Sequence, residues 1–124
     1  MRAAVTLTFT AALASSPLAF AAEQTADNPA TQANKEVTGE IVDMMCYVDH
    51  GAKGAKHAEC AEKCIKSGGP VGILSNGKAI LVIGEHKPIN DELAPLAGKT
   101  VTLKGKMVEN GGVSMLENTE IVKK

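Results

Sequence analysis

From Val37 to Val48 the chain reads Val-Thr-Gly-Glu-Ile-Val-Asp-Met-Met-Cys-Tyr-Val, dense in β-branched side chains, and this predicts a first strand. A period of two puts Ile41 on one face and Val42, Met44 and Cys46 on the other. Val71 to Ser75 and Lys78 to Ile83 flank Asn76-Gly77, which tolerate the positive φ angles of a type I′ turn, so a hairpin is predicted there. Val101, Leu103 and Met107 alternate along Thr100 to Val108, with Gly105 interrupting the run as a bulge or barrel bend does. Asn110-Gly111-Gly112 turns the chain, and Val113 to Leu116 and Glu120 to Val122 supply the last strands.

Two segments depart from this alternation. Asp91 to Gly98 predicts a short helical turn, with acidic residues at its start, Pro95 limiting its length and Gly98 stopping it. Ala55 to Lys66, ahead of Ser67-Gly68-Gly69-Pro70, predicts a helix. At about 100° per residue, His57, Cys60, Ala61 and Cys64 share one arc, and Lys56, Glu59, Glu62, Lys63 and Lys66 take the other. Glu59 with Lys63 and Glu62 with Lys66 are favourable i,i+4 pairs. The pattern therefore aims His57 and both helix cysteines toward the strands.

The first residues carry a different message. Arg2 precedes an apolar core of roughly 10 residues, too short for the about 20 that a membrane span needs, and Ala19-Phe20-Ala21 supplies a cleavage signature. Residues 1–21 read as a signal peptide, cleaved near Ala21, that delivers the chain to the periplasm or the medium. Residues 22–35 hold no large apolar side chain and read as a disordered leader, leaving 36–124 as one domain. No second apolar run predicts a membrane span. Arg2 is the only arginine, so past the cleavage point the basic residues are all lysines, outnumbered by acids, and Tyr47 is the sole aromatic. Neither a basic surface nor stacking aromatics are present, which argues against nucleic acid.

The chemistry lies with three cysteines. Thirteen residues separate Cys46 from Cys60 and three separate Cys60 from Cys64, with His57 one helical turn before Cys60. Three thiolates and an imidazole can close a tetrahedral site for Zn(II), or a lower-coordinate site for Cu(I). Met44 and His50 are additional candidate donors. This reading makes the chain a metal-binding module for storage, delivery or structural stabilisation. The expected partners are a metal ion and another exported protein.

Export also favours disulfides, and three cysteines leave one over. A bond from Cys46 to one helix cysteine would staple helix to strand and contribute about 2–4 kcal/mol. That makes a stapled interaction or ligand-binding domain without metal the rival reading. Thiol-disulfide exchange is a third, though such catalysts place two cysteines two residues apart at a helix start, and here the gap is three and falls within the helix. No Ser/His/Asp signature or paired carboxylate frame marks an enzyme.

The run 37–43, Cys46-Tyr47, His57-x-x-Cys60-Ala-x-x-Cys64, Gly69-Pro-Val-Gly-Ile-Leu74 and Ala97-Gly-Lys-Thr-Val-Thr102 resembles a family of small exported bacterial proteins with OB-fold-like barrels. The resemblance implies a mainly β fold, a five-stranded OB-like barrel with an inserted Cys-bearing helix and one short helix, and speaks to the fold more than to an activity. The order of elements fits such a barrel independently, with Gly39 and Gly105 at bends of a closing sheet.

Overall fold

The computed structural model describes residues 34–124, so residues 1–21, expected to be a signal peptide, and almost all of the expected leader lie outside the described residues. Five strands form a closed barrel: β1 (Asn34–Asp43), β2 (Val71–Ser75), β3 (Lys78–Val82), β4 (Thr100–Asn110) and β5 (Val113–Lys123), in the order β1-β2-β3-β5-β4. The expected small, mainly β, OB-like barrel is what the chain forms. The first half of β1 pairs with β4, from Asn34↔Lys106 to Glu40↔Thr100, and its second half pairs with β2, from Glu40↔Leu74 to Asp43↔Val71. Parallel pairing of β3 with β5 closes the ring.

β1 changes partners where a bare backbone allows it. A Cβ on Gly39 would collide with the Leu74 carbonyl, so the strand can bend there only as glycine. Gly105 acts alike on the far side: the β4–β5 register shifts between Lys104 and Lys106, and a Cβ would lie 2.6 Å from the Glu117 carbonyl oxygen. Asn76 and Gly77, with φ of 50° and 78°, make the predicted β2–β3 turn.

The core is aliphatic throughout. Ile41, Ile73, Leu103 and Leu116 fill the barrel, and Leu93 and Leu96 close over it from α3 (Asn90–Leu93) and the 3-10 turn that follows, Ala94–Leu96. No aromatic side chain is among these core residues, and branched aliphatics interdigitate to fill the space.

Four expectations are corrected. Asn34 and Lys35, assigned to the leader, are paired with β4. The first strand ends at Asp43, not Val48, and Met44–His50 forms a helix, α1. Asp43 caps that helix with its side chain and Gly51, at φ 69°, ends it, so local capping overrides the β-branched pattern. The predicted helix over 55–66 is a 3-10 turn, Ala55–His57, followed by α2 (Ala58–Lys66). The two final strands are one, β5, bent at Asn118 (φ 51°), whose neighbour Thr119 returns its hydroxyl to the Leu116 carbonyl at 2.9 Å.

α2 lies on β1 and against the 94–96 turn. Its inward residues are Ala61 and Ile65, the latter fully buried in the barrel core. Among the described residues, no helix is long and apolar enough to cross a membrane.

Candidate metal centre

All three cysteines lie on the excursion between β1 and β2, and the two helices bring them together. Cys46 is the third residue of α1, one turn past its cap, where the Asp43 carboxylate accepts its backbone N–H at 2.9 Å. Cys60 is the third residue of α2, and Cys64 follows one turn later. Cys60 therefore stands in the first turn of its helix and not mid-helix, because the chain enters through the 3-10 turn. The Sγ atoms of Cys46, Cys60 and Cys64 all lie within 4.8 Å of one another, and all three thiols are free. Such a group can hold a metal ion.

The surroundings fix these positions. The Gly54 N–H donates to the Glu40 carboxylate, tying the loop between the helices to β1. Asn90 donates through Nδ2 to the carbonyls of Ile65 (2.7 Å) and Gly69 (2.9 Å), holding the end of α2. The Gly69 N–H in turn reaches the Cys64 carbonyl at 3.0 Å. On the outer face Lys63 pairs with Glu59 at 2.7 Å and Lys66 with Glu62 at 2.5 Å, as the i,i+4 spacing predicted.

The candidate residues are placed unequally. Cys46 and Cys64 are half-buried, but Cys60 and His57 are exposed, so of the arc expected to face inward Ala61 alone is buried, and Ile65 joins it. His57 and His50 line, with Cys46, Cys60 and Asp43, a small cavity of about 20 Å³, room for one water-sized occupant. His50 Nδ1 also meets the Asp49 carboxylate at 3.2 Å. Met44 is not on a strand face with Cys46; its thioether rests against Gly72 of β2, where any Cβ would strike it. The mutual group is the three sulfurs.

The residue that sequence reasoning missed is Asp43. It is 1% exposed, and its Oδ1 has no hydrogen-bond partner among the described residues. Its carboxylate faces the Cys46 thiol and, with burial and the nearby Cys64, pushes that thiol up to about 12. Burial first, and then Asp43 and Cys60, raise Cys64 as well. Thiols so held keep their protons at neutral pH, which opposes use as nucleophiles, and an ion binding there has to displace those protons. The sequence signal was an Asp at the end of a β-branched run and three residues before a cysteine, the position of a helix cap.

Compared with family models, with curated proteins and with solved structures, the chain has no match.

Proposed function

We propose that the protein is an exported metal-binding module that holds one thiophilic d¹⁰ ion, Zn(II) or Cu(I), on Cys46, Cys60 and Cys64, for storage, delivery or local stabilisation. The observation that carries this reading is the mutual approach of three sulfurs within 4.8 Å, from two helices and a wide sequence span. Thiolates suit both ions. The resemblance to small exported bacterial barrel proteins and the N-terminal signal pattern support a periplasmic or secreted setting, with the mature chain beginning after Ala21.

The same proximity favours one second reading, a disulfide from Cys46 to a helix cysteine that staples the excursion to the barrel. Native mass spectrometry of the mature protein, purified without reductant or chelator, separates the two. A mass raised by one metal ion, with the thiol hydrogens displaced by it and no S–S bond found by peptide mapping, is expected. A metal-free mass lower by two hydrogens, with no ion taken up after reduction, overturns the metal reading.

A further inference from the structure

We propose that Asp43 is the fourth donor of this site, through Oδ1, and that three sulfurs and one carboxylate oxygen select a divalent d¹⁰ ion, Zn(II), over Cu(I). This rests on the reading that Cys46, Cys60 and Cys64 hold an ion.

Three observations converge on Asp43. It is buried to 1% exposure with Oδ2 on the Cys46 N–H and Oδ1 without a partner among the described residues. None of the ion pairs among the described residues includes it. A buried carboxylate oxygen left without a hydrogen bond or counter-charge is costly, and a cation supplies what it lacks. Asp43 also borders two hollows beside the sulfurs: it lines the small cavity with Cys46 and Cys60, and an open cleft with Cys46 and Cys64.

The space beside this oxygen is kept clear. Gly69 has an ordinary φ, yet a Cβ there would lie 3.0 Å from Asp43 Oδ1 and 2.8 Å from the Cys64 carbonyl oxygen. Glycine at this point serves the close approach of the carboxylate and the Cys64 turn, not an unusual backbone angle. The sulfurs alone make up the group within 4.8 Å, so the carboxylate reaches the ion by turning about its soft χ2 torsion.

The donor set then discriminates between ions. Carboxylate oxygen is a regular ligand of Zn(II), whereas Cu(I) prefers thiolate and thioether. Binding releases three thiol protons to solvent, leaving three thiolates and one carboxylate. A divalent ion neutralises one more of those charges than a monovalent ion does, in a site where Asp43 is fully desolvated.

The test is a pair of competition titrations, Zn(II) and Cu(I), on the reduced mature protein and on Asp43→Asn, with X-ray absorption at the zinc edge. Asparagine caps a helix as well as aspartate does, so α1 is retained. The expected result is a wild-type shell of three sulfurs and one oxygen, a Zn(II) affinity in Asp43→Asn lowered by more than the about 10–100-fold that a lost outer-shell partner costs, and a smaller change for Cu(I). Equal Zn(II) affinity in the variant, or imidazole scattering from His57 or His50 in the wild-type shell, overturns the role of Asp43 and leaves the cysteine site standing. Wild-type protein that binds neither ion overturns both. Should Asp43→Asn fail to fold, Gly69→Ala crowds the same oxygen: reduced Zn(II) affinity supports the assignment, and unchanged affinity overturns it.

Discussion

The Asp43 carboxylate accepts the backbone N–H of Cys46 at 2.9 Å, so the residue that ends the first strand also fixes where the next helix begins and which way its thiol points. The same carboxylate lies close enough to that thiol to disfavour its ionisation. One side chain thereby sets both the position and the protonation of the first cysteine.

If the three sulfurs share one ion, Cys46→Ser, Cys60→Ser and Cys64→Ser each lower metal affinity by more than the roughly 10–100-fold that a lost outer-shell partner costs. Cys60 is exposed, so Cys60→Ser shifts the urea midpoint of the metal-free protein by no more than about 0.5 kcal/mol in stability. A competition titration beside a urea melt separates the two effects. A Cys60→Ser protein that still binds with wild-type affinity contradicts a three-sulfur site.

The metal-free, reduced protein loses stability as pH rises from 9 toward 12. The Cys46 thiol has an ordinary value of 9.0 and is pushed to about 12 in the fold, so over that window the unfolded chain has released a proton that the folded chain still holds. The raised Lys63, held by Glu59, adds a loss of the same sign at the alkaline end. Cys46→Ala removes the first contribution and flattens the slope. Urea midpoints measured across the window check this, and a slope identical in wild type and variant refutes it.

Gly39→Ala and Gly72→Ala separate two kinds of crowding. The first sets a methyl against the Leu74 carbonyl, where backbone must yield, and costs at least the about 1–3 kcal/mol of overpacking. The second meets the flexible Met44 side chain, which can swing aside, so its cost is smaller. Thermal melts of both variants check the order, and equal losses contradict it.

Asn90→Ala removes the donor shared by the Ile65 and Gly69 carbonyls, at 2.7 and 2.9 Å. The part-buried acceptors then lose their partner, at a cost of about 1–3 kcal/mol. The end of α2 carries Cys64, so faster amide exchange over 63–69 is expected with little change at β4 and β5. Uniform exchange along the chain argues that Asn90 merely stabilises the whole fold.

Much of the barrel was legible because its signals are local. Asn76-Gly77 specifies its turn by φ alone, and Gly105 marks the slip between β4 and β5. The start of α1 was missed because Val37 to Val42 set a strand rhythm that Met44 to Val48 seemed to continue, while the Asp43 cap and the Gly51 stop outweighed it. The three cysteines were legible as a group. Their relative burial was not, since the face of α2 that meets the barrel is chosen by Ile65, whose side chain enters the core, and this turns Cys60 outward. Asp43 was invisible as a site residue because its importance lies in an oxygen left without a partner, a property of packing and not of spacing.

Asp43 and Val71 stand opposite each other in the sheet, and every cysteine of the chain lies between them. The excursion leaves the barrel and returns to the same rung, and none of the strand pairings runs through it, so a segment grafted between these two residues interrupts no ladder. What limits such a graft is Ile65: a replacement segment that presents an aliphatic plug at that point inherits a closed barrel, and one that does not leaves the end of the core open to water.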